Sequence, residues 1–114
     1  MFERGDIVEV YFDLPYSKET KLHPAIIISN DDVYNKDDVY ICVMMTSSTA
    51  IDLFSFEIKP EMLDLPLKKE YSQARCHLVS YVREKHFEKH KLNHLKEDYV
   101  DNLVSRINSV SMCK

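Results

Sequence analysis

Apolar and polar positions alternate early in the chain. D-I-V-E-V-Y-F, Asp6 to Phe12, sets Val8, Val10 and Phe12 on one face and Ile7, Glu9 and Tyr11 on the other. Its β-branched and aromatic content predicts a strand, entered through the chain's one glycine, Gly5. Asp13 to His23 holds Pro15, Ser17 and several charges and predicts a long loop. Ala25 to Ser29 is apolar almost throughout, as in a strand covered on both faces, and so is Val39 to Met45. Between them N-D-D-V-Y-N-K-D-D, Asn30 to Asp38, reads as a polar connection. Thr46 to Thr49 is a run of hydroxyls at a strand end, a position suited to binding.

Strict alternation resumes at Phe54-Ser55-Phe56-Glu57-Ile58, a fourth strand, and Ser72 to Val82 predicts one or two more. From Glu97 to Val110 the apolar residues Val100, Leu103, Val104 and Ile107 fall at helical spacing. Many short strands followed by one amphipathic helix predict a mainly β fold, a small, strongly curved antiparallel sheet or barrel. No internal repeat or low-complexity segment interrupts it. At 114 residues the chain has the size of a single domain, taken here as 1–114.

Composition narrows the function classes. The chain is 45% hydrophobic and 30% charged, with no run near the roughly 20 apolar residues that a membrane helix needs. The charged start M-F-E-R-G-D lacks the apolar core of a secretory signal, so the cytoplasm is the expected location. Cys42, Cys76 and Cys113 are odd in number and show no C-x-x-C spacing, which argues against a disulfide framework and a cysteine-rich zinc site. Cys42 reads as a small core hydrophobe.

A net charge of −4 lacks the basic character of a general nucleic-acid coat, so a polyanion would have to meet a local patch. Lys18, Lys21 and His23 form one candidate; Lys68, Lys69, Arg75 and His77 form another. Tyr16, in the loop before His23, is the aromatic best placed to stack on a base. His86, His90 and His94 recur every four residues, a spacing that could hold zinc on a helix. Lys85, Lys89, Lys91 and Lys96 interleave with them and oppose a bound cation, so a solvated, partly helical surface is the expectation.

Several stretches fall into one order. E-R-G-D-I-V-E-V (Glu3 to Val10), H-P-A-I-I-I-S (His23 to Ser29), M-T-S (Met45 to Ser47) and Y-S-Q-A-R-C-H (Tyr71 to His77) together resemble the MazF/PemK toxins of type II toxin–antitoxin systems. The resemblance spans roughly Glu3 to Val110. It implies an SH3-like β-barrel, a homodimer, and sequence-selective cleavage of single-stranded RNA without metal or other cofactor. It further implies neutralisation by a cognate antitoxin that blocks the RNA groove.

Carried over residue by residue, it marks Thr46, Ser47 and Arg75 as site residues. It departs at two places: His23 stands where most of the family has arginine before the proline, and His77 where the PemK branch has an acid. Cleavage through the 2′-hydroxyl needs a base, an acid and donors around the phosphorus. Histidine serves either proton role near neutral pH. The expected arrangement therefore has His23 and His77 dividing acid and base work. Arg75 pairs with the phosphate, and Thr46 and Ser47 donate to it, with Lys18, Lys21, Tyr16 and Ser72 along the RNA. The alternative is a catalytically impaired module of the same fold that binds antitoxin or nucleic acid without cutting. A gyrase-directed toxin like CcdB gains little support from the C-terminal S-V-S-M-C-K.

Overall fold

The computed structural model describes residues 1–12, 21–66, 72–88 and 90–114, apart from the side chains of Phe12 and Lys21. Among the described residues six strands form one antiparallel sheet: β1 (Asp6–Phe12), β2 (Lys21–Ile27), β3 (Val39–Thr46), β4 (Ser55–Glu57), β5 (Gln73–Arg83) and β6 (Asn93–His94). Their order across the sheet is β4-β5-β3-β2-β1-β6. The sheet curls into a half-barrel with a C-terminal helix, α2 (Glu97–Ile107), as the strand pattern led one to expect.

The continuous apolar runs have a direct cause: the middle strands are buried on both faces. One face carries Ile7, Ile26, Val43, Met45, Ala74 and Cys76, packed against Val100, Leu103 and Ile107 of α2. The other carries Val8, Val10, Ala25, Ile27, Tyr40, Cys42 and Val82, roofed by Phe2, Tyr34 and Phe87. Cys42 is buried in this second cluster, the small hydrophobe its setting suggested.

Gly5 makes the entry to β1 at φ 99°, its N–H bonded to Ile27 O and its carbonyl accepting from Leu95 N. A Cβ there would meet Leu95 O at 2.5 Å, so both conformation and space require glycine.

Three expectations are corrected. Asn30 to Asp38 is more than a polar connection: Asp31–Asp37 form helix α1. Asn30 caps it by accepting from Val33 N, and Asp38 ends it in the left-handed conformation. Sequence periodicity misses this helix because none of its residues is buried. The strand expected from Ala25 starts earlier, at Lys21, so His23 lies inside β2, across from Val10. The segment bearing His86, His90 and His94 agrees with the partly helical surface expected of it: a short 3-10 turn (Glu84–His86) leads toward β6, His86 and His90 are exposed, and the three histidines share no helical face. The terminal helix ends its α-helical part at Ile107 and continues as one π-helical turn, Asn108–Met112.

No helix among the described residues is long and apolar enough to cross a membrane.

Candidate active site

Three neighbouring strands bring the site together. Antiparallel pairing sets Ala25 of β2 beside Met44 of β3, and two residues further along each strand His23 and Thr46 both line one cleft. On the other side Thr46 pairs with Gln73 of β5. Along β5, Gln73, Arg75 and His77 follow at period two, so they share a face, while Ala74 and Cys76 turn into the core.

The ladder between β3 and β5 breaks at this point. Pairing jumps from Met45↔Ala74 to Val43↔Val79, so Met44 alone faces Arg75 to Leu78. The surplus makes a bulge, the device that bends a strand and re-aims its side chains. Its backbone is held from both sides: Cys76 N donates to Phe54 O at 2.8 Å, and Cys76 O accepts from Ser111 Oγ at 2.7 Å.

The result is an open cleft of roughly 300 Å³. His23, Thr46, Arg75 and His77 all line it, together with Gln73, Asp52, Ser48 and an apolar wall of Met44, Met45, Ala50 and Leu78. The four residues expected to do catalysis therefore stand in one place.

Arg75 is the most connected of them. Nη2 donates to Asp52 Oδ2 at 2.7 Å, and Nη1 donates to Asp52 Oδ1 at 3.0 Å, Gln73 Oε1 at 2.9 Å and Ser55 Oγ at 3.2 Å. Hydrogen bonding from Arg75, then from Phe54 N, holds the Asp52 carboxyl down to about 2. The His77 ring lies 4.4 Å from that of Phe54. Partial burial, then the nearby Arg75 charge, lowers its pKa from 6.5, so its neutral form is favoured. Burial raises the Cys76 thiol instead, which makes it a poor nucleophile despite its place between Arg75 and His77.

The remaining expected residues divide. Ser47 is exposed and does not line the cleft; its carbonyl accepts from Ser72 Oγ at 3.3 Å, and Ser48 stands at the cleft in its stead. Ser72 lines a neighbouring pocket with Ser48, Thr49 and Glu57. Tyr16 and Lys18 lie outside the described residues, as does the side chain of Lys21.

Asp52 and Gln73 also line the cleft, and the sequence reading did not include them. Gln73 is buried, and its Nε2 donates to Ser48 O at 2.9 Å and Ala50 O at 2.8 Å, pinning the loop after β3. A polar residue two positions before Arg75 on one strand face was an available signal for it. Nothing local pointed to Asp52.

Metal-ligating types also gather elsewhere, at Glu3, Asp6 and His94, whose ligand atoms lie within 4.8 Å of one another. None of them lines the cleft. The Asp6 carboxylate already has partners there: Glu3 N at 2.9 Å, His94 Nδ1 at 2.7 Å and Lys91 Nζ at 3.5 Å. This is a structural polar cluster that ties β6 to the start of β1.

Residues 3–111 match the family model for the PemK-like, MazF-like toxin of type II toxin–antitoxin systems. No curated protein matches the chain at significance. Among solved structures, the chain is similar to a MazE–MazF complex from Deinococcus radiodurans, with a TM-score of 0.71 at 11% identity over 94% of this chain and 92% of that one. It is similar, too, to an endoribonuclease in complex with its cognate antitoxin from Mycobacterial species, with a TM-score of 0.72 at 14% identity over 96% and 94%. At such identities these structures speak for the fold.

Proposed function

The chain belongs to the PemK-like, MazF-like toxin family of type II toxin–antitoxin systems, and from that premise we propose that it is a sequence-selective endoribonuclease acting on single-stranded RNA without a metal ion. The observation that carries this reading is the convergence of His23, Thr46, Arg75 and His77 on one open cleft.

The chemistry follows from their types. His77, whose neutral form is favoured, takes the proton of a ribose 2′-hydroxyl as that oxygen bonds to phosphorus. The bond from phosphorus to the 5′-oxygen breaks, and His23 gives the leaving oxygen its proton. The products are a 2′,3′-cyclic phosphate and a 5′-hydroxyl. Arg75 and the Thr46 hydroxyl meet the charge that grows on the non-bridging oxygens. The apolar wall formed by Met44, Met45 and Leu78 keeps this charge in a less watery setting. A cognate antitoxin and a second copy of the chain are the proposed protein partners, and the cytoplasm the proposed location.

One observation favours the alternative of a binding module: Asp52 already engages the guanidinium that should meet phosphate. The deciding experiment is incubation of the purified protein with a long single-stranded RNA in EDTA, beside His23→Ala and Arg75→Ala, with the new 5′ ends mapped. Discrete cuts by the parent that both variants lose are expected. Absence of cuts by the parent, or full cutting by both variants, overturns the reading.

A further inference from the structure

The ion pair at Arg75 is built in a way that does more than neutralise charge. A guanidinium has five N–H donors in a rigid fork. Here Nη1 meets Asp52, Gln73 and Ser55, and Nη2 meets Asp52 alone. Among the described residues no acceptor meets Nε. What remains is the Nε–Nη2 edge, with two nearly parallel N–H groups, the geometry that two oxygens of a phosphate accept.

Asp52 is itself held in place. Its Oδ1 accepts from Phe54 N at 2.9 Å, and its backbone N–H donates to Ser55 Oγ at 3.0 Å. The carboxylate is thus fixed by its own turn before it meets Arg75. The Arg75 side chain is 17% exposed, which confines it further. With its carboxyl held down to about 2, Asp52 is an anion at any pH where RNA is handled.

We propose that Asp52 is a positioning residue, which clamps the Nη end of Arg75 so that its Nε–Nη2 edge is presented to the non-bridging oxygens of a phosphodiester. This rests on the endoribonuclease reading. Two effects of opposite sign follow. The clamp fixes the donors where charge develops, which speeds the chemical step. Its negative charge also repels the bound phosphate, which weakens binding in the ground state. A residue with a merely structural role would not separate the two.

The test uses the full chain with Asp52→Asn, which keeps the shape and removes the charge. Three quantities are read: affinity for an RNA oligonucleotide with 2′-deoxy substitution at the cut site, turnover at saturating uncut RNA, and the Arg75 Nε–H signal in proton–nitrogen NMR spectra. The variant is expected to bind the uncleavable oligonucleotide about threefold more tightly and to turn over about tenfold more slowly. Its Nε–H signal is expected to broaden, where the parent's is sharp and shifts on addition of the oligonucleotide. Asp52→Glu restores the charge and should return affinity to the parent value.

Turnover unchanged or faster in Asp52→Asn, or an Nε–H signal as sharp as the parent's, overturns the proposal. A parent that cuts no RNA while its Nε–H signal shifts with oligonucleotide and broadens in Asp52→Asn refutes the nuclease reading and leaves the clamp standing.

Discussion

Ser111 Oγ reaches from the π-helical turn to the Cys76 carbonyl at 2.7 Å, the peptide position between Arg75 and His77. The C-terminal segment therefore braces the bulge that aims two cleft residues. In an unbroken ladder that carbonyl would accept from Phe54 N, whose own carbonyl already takes the Cys76 N–H; here Phe54 N donates to Asp52 Oδ1 instead. Ser111→Ala leaves the carbonyl short of a donor, at a cost of about 1–2 kcal/mol. Urea denaturation of the variant should show this loss with an unchanged slope. Cleavage should fall at temperatures where the variant is still fully folded. Unaltered cleavage by a destabilised variant would mean that the brace serves stability only.

His77 should govern the acid side of the pH–rate profile. Its pKa lies below 6.5, first through burial and then through the Arg75 charge. The group is neutral at pH 7 and becomes protonated as the pH falls through that lowered value, which removes the base. The logarithm of kcat/KM is expected to decline toward acid with a midpoint below 6.5. His77→Ala should lose about a hundredfold or more in rate and the acid limb with it. A midpoint at or above 6.5 would contradict the assignment of His77 as base.

Much of this architecture was legible in the chain, and the exceptions have physical reasons. Continuous apolar runs at Ala25 and Val39 announced strands buried on both faces, because such strands have no polar side to show. Helix α1 escaped notice since it is short and buries no residue fully, Tyr34 only half-covering the second cluster; its Asn30 cap marks it. His23, Thr46, Arg75 and His77 were singled out through an ordered set of stretches resembling known toxins, and the neighbouring places of β2, β3 and β5 in the sheet explain why they line one cleft. Asp52 was invisible for the converse reason. Its partner Arg75 is 23 residues away, and the loop that brings them together has no pattern that local chemistry can read.

The Asp52–Arg75 pair predicts a specific acid dependence. Asp52 has its carboxyl lowered from 3.8 to about 2 in the folded chain, with Arg75 hydrogen bonding as the leading cause. A group depressed on folding stabilises the folded state fully above its unfolded pKa, and this contribution is lost as the pH falls through the folded value. The stability difference between the parent and Asp52→Asn should therefore be constant above about pH 4 and shrink as pH 2 is approached. Urea midpoints measured across that range supply the check. Because the Asp52 side chain is 54% exposed, added salt should reduce the difference. A difference that held constant down to pH 2 would show that the carboxyl is not depressed.

Gln73 carries the last prediction. It is 1% exposed, and its amide works in two directions: Nε2 donates to the Ser48 and Ala50 carbonyls, while Oε1 accepts from Arg75. Replacing it with leucine keeps much of the volume and removes all three bonds. Since Ser48 and Ala50 are exposed, their carbonyls can turn to water, so the cost should stay near about 2 kcal/mol. The loop itself should respond more strongly than global stability does. Ser48 N–H is bonded to Thr46 Oγ1 at 3.3 Å and Ala50 N–H to Ser48 Oγ at 3.2 Å, short-range bonds that depend on the loop holding its shape. In Gln73→Leu, exchange of these two amides with deuterated water should quicken, while amides of the β1–β2 ladder keep the parent rate. Equal acceleration in both places would mean that Gln73 supports the whole sheet and not the cleft wall alone.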